Sequence, residues 1–485
     1  MSKKLRTLSA FIALTMLLFI AAGCVKDPDP TESVSSSVSV ASTADSTESK
    51  LYDDTVEDMG GYEFTIATAW MRQRVPANAT LFERLFHQRM EEVEAEYKCT
   101  IKIETFYASM EGMIPKIMAG DKIGDVVQMI GDMYLPAAGA GYLRSWDEVS
   151  DIVNLNDTRW LQDYKATALN GEHYVLGFER PGDIGSILWY NKNILKSAGI
   201  TEDPAQLVLD GEWTWEKFRE MLELTTMDTD NDGNKDIFGL ISNNSYIDVA
   251  YALAASNNAS MVSESANGLV ASFNNKAFID ALNFYDTLVN TDKTVKIYEN
   301  MTSDLTWSNM PSFDTIVNEF RGGKIAFMSG RLYNGNQQLR PFIDNFDYGL
   351  VVYPKGPEAD GYISNGEVLG GFALTSTNED YIKSAKIFNA LARPVEGYED
   401  PQAMADEVRS DFFQENDELS YQMYELAANT VRVDKGYGVV TLLSAMNHTI
   451  IQSIFWRFNT PASAIDGMSG VYDQDITNTY AKLPE

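Results

Sequence analysis

The sequence predicts an α/β protein, and three observations carry that prediction. Strand-like and helix-like periodicities alternate early in the folded part. The 485-residue chain is long enough for two substantial lobes. Hydrophobic residues make up 45% of it and aromatic ones 11%, ample for a core. Taken in order, Tyr62-Glu63-Phe64-Thr65-Ile66 alternates as a strand does, and Leu81, Leu85, Phe86, Val93 and Tyr97 recur at helical spacing. Thr100 to Phe106 reads as a second strand, with Ile101 and Ile103 on one face. Met110 to Met118 reads as a helix interrupted by Pro115, and Asp125 to Ile130 as an apolar strand. Strands and helices in this order suggest parallel βαβ units in a sheet covered on both faces. Farther on, Phe278, Leu282, Tyr285 and Val289 define one helix face, and Ile382, Ala385, Phe388 and Leu391 another.

The N-terminus carries a different signal. Lys3, Lys4 and Arg6 precede Leu8 to Ile20, apolar apart from Ser9 and Thr15, and Ala21-Ala22-Gly23 leads into Cys24. Charge, a short apolar core and small residues in that order form a secretory signal, too short for a comfortable membrane span of ~20 residues. A cysteine directly after small residues resembles the lipobox of bacterial lipoproteins, although Ala21 stands where that motif usually carries a branched apolar residue. The resemblance implies removal of residues 1–23, acylation of Cys24 with palmitate-type chains, and tethering to the extracytoplasmic face of the cell membrane. Two or more acyl chains anchor stably where one is marginal. Val25 to Lys50 contains Asp27-Pro28-Asp29-Pro30 and a Ser/Thr-rich run with no aromatic residue, so residues 24–58 are expected to be a flexible linker.

Charge and motifs narrow the function classes. A net charge of −32 argues against nucleic acid, whose binding needs clustered Lys and Arg. With Cys24 acylated, only Cys99 remains and no intramolecular disulfide can form. No G-x-S-x-G, H-E-x-x-H or Walker loop is present, and His87, His173 and His448 lack metal spacing. The chain is therefore expected not to be an enzyme. Asp228-Thr229-Asp230-Asn231-Asp232-Gly233-Asn234-Lys235-Asp236 reads as the start of an EF-hand-type calcium loop, with Asp228, Asp230, Asp232, Asn234 and Asp236 as candidate ligands. The closing bidentate Glu is missing, because Gly239 stands there. No cofactor is required; structural calcium is the expectation, and a solvated acidic turn the alternative.

Nine blocks in order resemble the extracellular solute-binding proteins of ABC importers, in the carbohydrate-binding family that includes maltose-binding protein. They are Met118-Ala119-Gly120 with Gly124-Asp125-Val126-Val127, Gly141-Tyr142-Leu143 with Trp146-Asp147, Asn170 to Leu176, and Leu188 to Lys192 with Ala198-Gly199-Ile200. Trp213-Thr214-Trp215-Glu216, Phe320 to Met328, Tyr353 to Pro357, Gly370 to Leu374 and Thr460 to Ile465 complete the series. The resemblance implies a type II periplasmic-binding-protein-like fold: two α/β lobes on a hinge, with the ligand in the cleft. It implies a first lobe from residues 59–181 and 353–400 and a second from 182–352 and 401–485. It also implies a monomer that captures a sugar or oligosaccharide by hinge closure and presents it to membrane permease subunits. By position, Trp70, Asp132, Asp183, Tyr246, Arg331, Tyr333 and Trp456 would hold the solute, whereas Trp146, Trp213 and Trp215 would be structural. Peptides and polyamines are the alternative solutes, and a secreted glycan-active enzyme the alternative class.

Overall fold

The computed structural model describes residues 55–481 except 70, 76–78, 80, 108–109, 130, 157–159, 161–171, 178–184, 244, 266–267, 299–309, 333–338, 340–345, 367–370, 394–412, 414–416, 467 and 469. The signal segment and Cys24 lie outside the described residues. Among the described residues, no helix is long and apolar enough to cross a membrane.

The strands, in chain order, are β1 (Glu63–Thr68), β2 (Thr100–Thr105), β3 (Val126–Met129), β4 (Leu143–Arg144), β5 (Ile187–Asn191), β6 (Phe238–Ser242) and β7 (Val262–Ser265). They continue with β8 (Gly268–Ala271), β9 (Ile325–Gly330), β10 (Tyr348–Val351), β11 (Ser364–Gly366), β12 (Gly371–Thr375) and β13 (Val431–Val433).

The first sheet runs β2-β1-β3-β12-β4. β1 is parallel to β2 and β3, with Glu63 opposite Thr100 and Ile66 opposite Val126, so the βαβ expectation holds for these three. β12 departs from it: arriving from far along the chain, it lies antiparallel between β3 and β4. Strand alternation then builds two cores. Phe64, Ile66, Ile101, Val126, Phe372 and Leu374 share one with the helices Leu81–Tyr97 and Tyr381–Leu391. Trp146 and Trp160 stack there on Phe388, at 4.8 and 5.7 Å between ring centres. Ala67, Val127, Met129 and Ala373 face the other core, with Met113, Ile123 and Tyr134.

The predicted face of Leu81–Tyr97 is buried at Leu81, Leu85, Phe86, Val93 and Tyr97. In Tyr381–Leu391 the face is shifted: Ile382 is exposed, and Ser384 turns inward instead to donate to the Asp125 carboxylate at 2.6 Å.

The second sheet runs β10-β5-β9-β6, with β6 parallel to β9 and β5 antiparallel to both β9 and β10. Its helix Trp215–Thr225 is capped by Thr214, whose hydroxyl accepts from the Lys217 amide at 3.4 Å, and buries Phe218, Met221, Leu222 and Thr225. These positions follow the 3.6-residue repeat. A short sheet joins β11 to β13 in parallel, and β7 and β8 form a hairpin. The C-terminal segments, including Ile450, Ile454, Phe455 and Ile476, pack into the same core as the second sheet.

Candidate functional site

In open α/β sheets, ligands bind beyond the carboxyl ends of parallel strands. Here those ends belong to β1 and β3 in the first sheet and to β6 and β9 in the second. At the end of β1, the buried Thr68 hydroxyl donates to Gln128 Oε1 of β3, and the Thr68 carbonyl accepts from the Phe106 amide at 3.0 Å. This fixes the root of the loop that carries Trp70, itself outside the described residues. The helix Gly131–Gly139 begins two residues beyond β3, with Asp132 as its second residue. Its first-turn amides lack partners within the helix and give that end a partial positive charge.

At the end of β6, the Ser242 hydroxyl donates to the Ser245 carbonyl at 2.6 Å and accepts from the Ser245 amide at 3.1 Å. Ser245 in turn caps the helix Tyr246–Ser256 by accepting from the Ile247 amide at 3.1 Å. Tyr246 was expected to offer a ring face to a solute; it is instead entirely buried, 5.5 Å from the Phe455 ring, with its hydroxyl donating to the Lys296 carbonyl. As the first residue of a helix that opens directly off a sheet, it points into the core.

Just past β9, Arg331 is half-buried and its carbonyl accepts from Trp189 Nε1 at 3.1 Å. Tyr333 and Asp183 lie outside the described residues. The charge of Arg331 acts on a polar group that local sequence patterns do not mark. Tyr437, on the turn Lys435–Gly438, has its hydroxyl held well above the ordinary phenol range. Desolvation is the main cause; the charges of Asp248 and Asp434 act the same way, while a hydrogen bond with Asn365 and the charge of Arg331 oppose them. The Tyr251 ring lies 5.5 Å from that of Tyr437, and its hydroxyl donates to Asn447 Oδ1 at 2.7 Å. Asp248, Asn365, Tyr437 and Asn447 come from four separate segments, so no local motif announces them.

Trp456 ends a helical run that passes through a π-helical stretch at Met446–Ile451. Such widened turns occur often at functional sites. The half-buried indole meets Phe455 edge-on at 4.9 Å. Its Nε1 is shielded from solvent and has no acceptor among the described residues, so a donor is left unspent. Arg457 follows with φ 58°, a left-handed conformation that costs a non-glycine residue roughly 1–2 kcal/mol. Strain of this kind collects where a side chain must be held in a particular place.

The acidic loop closes on itself. One carboxylate oxygen each of Asp228, Asp230 and Asp236 lies within 4.8 Å of the others. The Asp228 carboxylate accepts from the amides of Asn231 at 2.7 Å and Gly233 at 2.9 Å. Thr229 donates to Asp236 through its amide and hydroxyl, which holds that carboxyl below its usual range. Asp232 and Asn234 are not part of the triad; Asp232 accepts from the Asn234 amide at 2.7 Å. The missing Glu has a structural cause. A Cβ at Gly239 would sit 2.8 Å from the Leu222 carbonyl oxygen and 2.9 Å from its Cα, so helix and strand meet where that side chain would begin.

Two mixed sheets, with the chain passing from the first to the second and back, define the class: a two-lobed solute-binding fold. The sequence profile of bacterial extracellular solute-binding proteins matches residues 88–398, and the chain belongs to that family. No curated protein sequence matches it. Among solved structures it is similar to the ABC substrate-binding protein of Listeria monocytogenes in complex with cycloalternan. That likeness has a TM-score of 0.59 and 14% identity over 87% of this chain and 99% of that one. It is also similar to the GacH receptor of Streptomyces glaucescens, solved unliganded and with acarbose, at TM-score 0.61 and 15% identity over 86% and 99%. A third is the maltose/maltodextrin-binding domain of Bdellovibrio bacteriovorus bound to maltotriose, at TM-score 0.55 and 16% identity over 87% and 99%. At such identities the likeness speaks for the fold.

Proposed function

We propose that this chain is the receptor of an ABC importer and captures a sugar, in the first place an oligosaccharide, by closing its lobes around it. One observation carries the reading: Trp456 combines a half-buried indole face with an N–H that has no acceptor among the described residues. A sugar needs both, because its ring faces are apolar and its rim is hydroxyl. The half-buried Arg331 and Tyr437, with Asp248 nearby, add polar groups of the kind that fix sugar hydroxyls. The solutes named for similar structures, among them chitin oligosaccharide and mannotriose, support the same class. Trp70, Asp132, Asp183 and Tyr333 complete the proposed contacts by position.

Closure joins the lobe of residues 59–181 and 353–400 to that of 182–352 and 401–485, and the closed form is the one the permease reads. The receptor works as a monomer, tethered through acylated Cys24 on the outer face of the membrane. It binds without turnover. Calcium in the Asp228–Asp236 loop staples the turn and has no part in the chemistry, with an affinity on the order of 10⁻⁴–10⁻³ M.

A thermal-shift screen of the purified chain against sugars, peptides and polyamines tests the reading. A sugar at one hundred times its Kd should stabilise by ~2.7 kcal/mol. Trp456→Ala should weaken that sugar by about 2 kcal/mol, roughly thirtyfold in Kd. A shift with a peptide or polyamine alone would overturn the sugar class, and release of shorter glycans would overturn the receptor role. Millimolar calcium should raise the melting temperature, and Asp228→Asn should abolish the rise. Labelled palmitate should enter the chain in cells and be lost with Cys24→Ser.

A further inference from the structure

We infer that the C-terminal part of the chain forms a seat for the helix Gly131–Gly139, and that this seat sets how readily the lobes open. The inference rests on the closure mechanism proposed above. Gly131–Gly139 belongs to the first sheet: Tyr134, Ala137 and Ala138 share a core with Val127 and Met129 of β3. Yet it also packs against the turn Lys435–Gly438 and against the C-terminal helix Asp473–Ala481. Both of those belong to the second sheet's core, through Val439 and Ile476. Contact between the first sheet and the second sheet's core thus passes in part through one short helix, the same one that carries Asp132.

The seat is held by a single rung of the β7–β8 hairpin. Val262 and Ala271 face each other there. Asp434 grips the β7 side, its carboxylate accepting from the amides of Met261 at 2.5 Å and Val262 at 3.3 Å, and from Gly436 at 2.8 Å. Asp473 grips the β8 side by accepting from the Ala271 amide at 3.2 Å. Asp475 ties the same helix to Thr441, whose hydroxyl donates to it at 2.8 Å. Gly436 lets the turn press close, since a Cβ there would lie 2.5 Å from Met261 Cβ. Two separate segments therefore clamp opposite strands at one level, and both contact the helix Gly131–Gly139. Asn365 of β11 hydrogen-bonds Tyr437, and β11 pairs with β13, so the seat is continuous with that short sheet.

A structure that merely fills space would not bias opening; a seat favours the closed arrangement by whatever contact it makes there and loses on opening. The test is a spin-label distance measurement between the lobes of the full chain, with no solute present, so that an error in the solute class leaves the result standing. Glu104→Cys on β2 and Glu216→Cys on Trp215–Thr225 are exposed labelling sites in a Cys24→Ser background. Cys99 does not compete, because burial pushes its thiol up to about 11. Asp473→Ala/Asp475→Ala should raise the ratio of long to short distances roughly fivefold, the scale of one or two modest hydrogen bonds. A chain ended at Gly470 should raise it further; if that chain fails to fold, the double variant decides. An unchanged distribution in a folded double variant, or a parent chain already wholly open, would overturn the inference.

Discussion

The two sheets are alike in kind but are held together by different chemistry. The first is stapled by one carboxylate. Asp125, with no exposure, accepts from the Tyr62 hydroxyl at 2.5 Å, the Thr65 amide at 2.8 Å, Lys122 Nζ at 2.8 Å and the Ser384 hydroxyl at 2.6 Å. Its carbonyl accepts from Asn378 Nδ2 at 3.0 Å, so one residue joins β1, β3, the turn after β12 and the helix beyond. Both cores stack aromatics, and in the second sheet a ring cluster takes the central place that the carboxylate holds in the first. Trp213, Phe218 and Phe327 meet at 5.3 to 6.1 Å between centres, and Trp213 spends its indole N–H on the Val352 carbonyl at 2.9 Å. Where the chain leaves a sheet and returns to it, a directional hub fixes how the returning strand docks. Where most of the sheet is laid down in one pass, close-packed rings suffice.

The contrast breaks most visibly if the aromatic side is emptied. Trp213→Ala should cost about 3–5 kcal/mol in chemical denaturation, with hydrogen-exchange protection lost in the second sheet and retained in the first. Asp125→Ala should cost about 3 kcal/mol with the opposite pattern, because the buried Ser384 hydroxyl and the part-buried Tyr62 hydroxyl and Thr65 amide lose their acceptor. Equal loss of protection in both sheets for either variant would end the comparison. Gly349→Ala sharpens it on a smaller scale: the new Cβ would lie 2.3 Å from Tyr190 Cζ, and Tyr190 cannot move without releasing its 2.7 Å bond to Asp203. About 1–3 kcal/mol of overpacking follows, read in the same denaturation experiment. Lys122→Met should cost less than about 1 kcal/mol, since the ammonium is partly in water and Asp125 keeps its other partners.

Much of the fold was legible because its signals are local. The spacing of Leu81 to Tyr97 placed a helix that runs Leu81–Tyr97, and the run Asp125 to Ile130 placed β3 to within a residue at each end. The position of β12 between β3 and β4 was not legible, because antiparallel insertion from more than two hundred residues away leaves no trace in periodicity. Nor was Ser384, whose inward turn depends on a carboxylate in another element. The candidate site divides in the same way. Arg331 and Trp456 lie at strand and helix ends that sequence blocks mark, whereas Asp248, Asn365 and Tyr437 meet only through tertiary structure. Tyr246 shows the converse error: a position beside a site is not a surface of it.

The placement of β12 also bears on the order in which the protein can be made. β1, β2 and β3 leave the ribosome early, yet β3, every residue of which is buried in the finished fold, keeps a bare edge until residues 371–375 have followed. The second sheet, begun later, has all its strands by residue 351. The sheet begun first is therefore finished last, and a chain halted between β10 and β12 would carry one complete sheet beside an apolar strand open to pairing with another molecule.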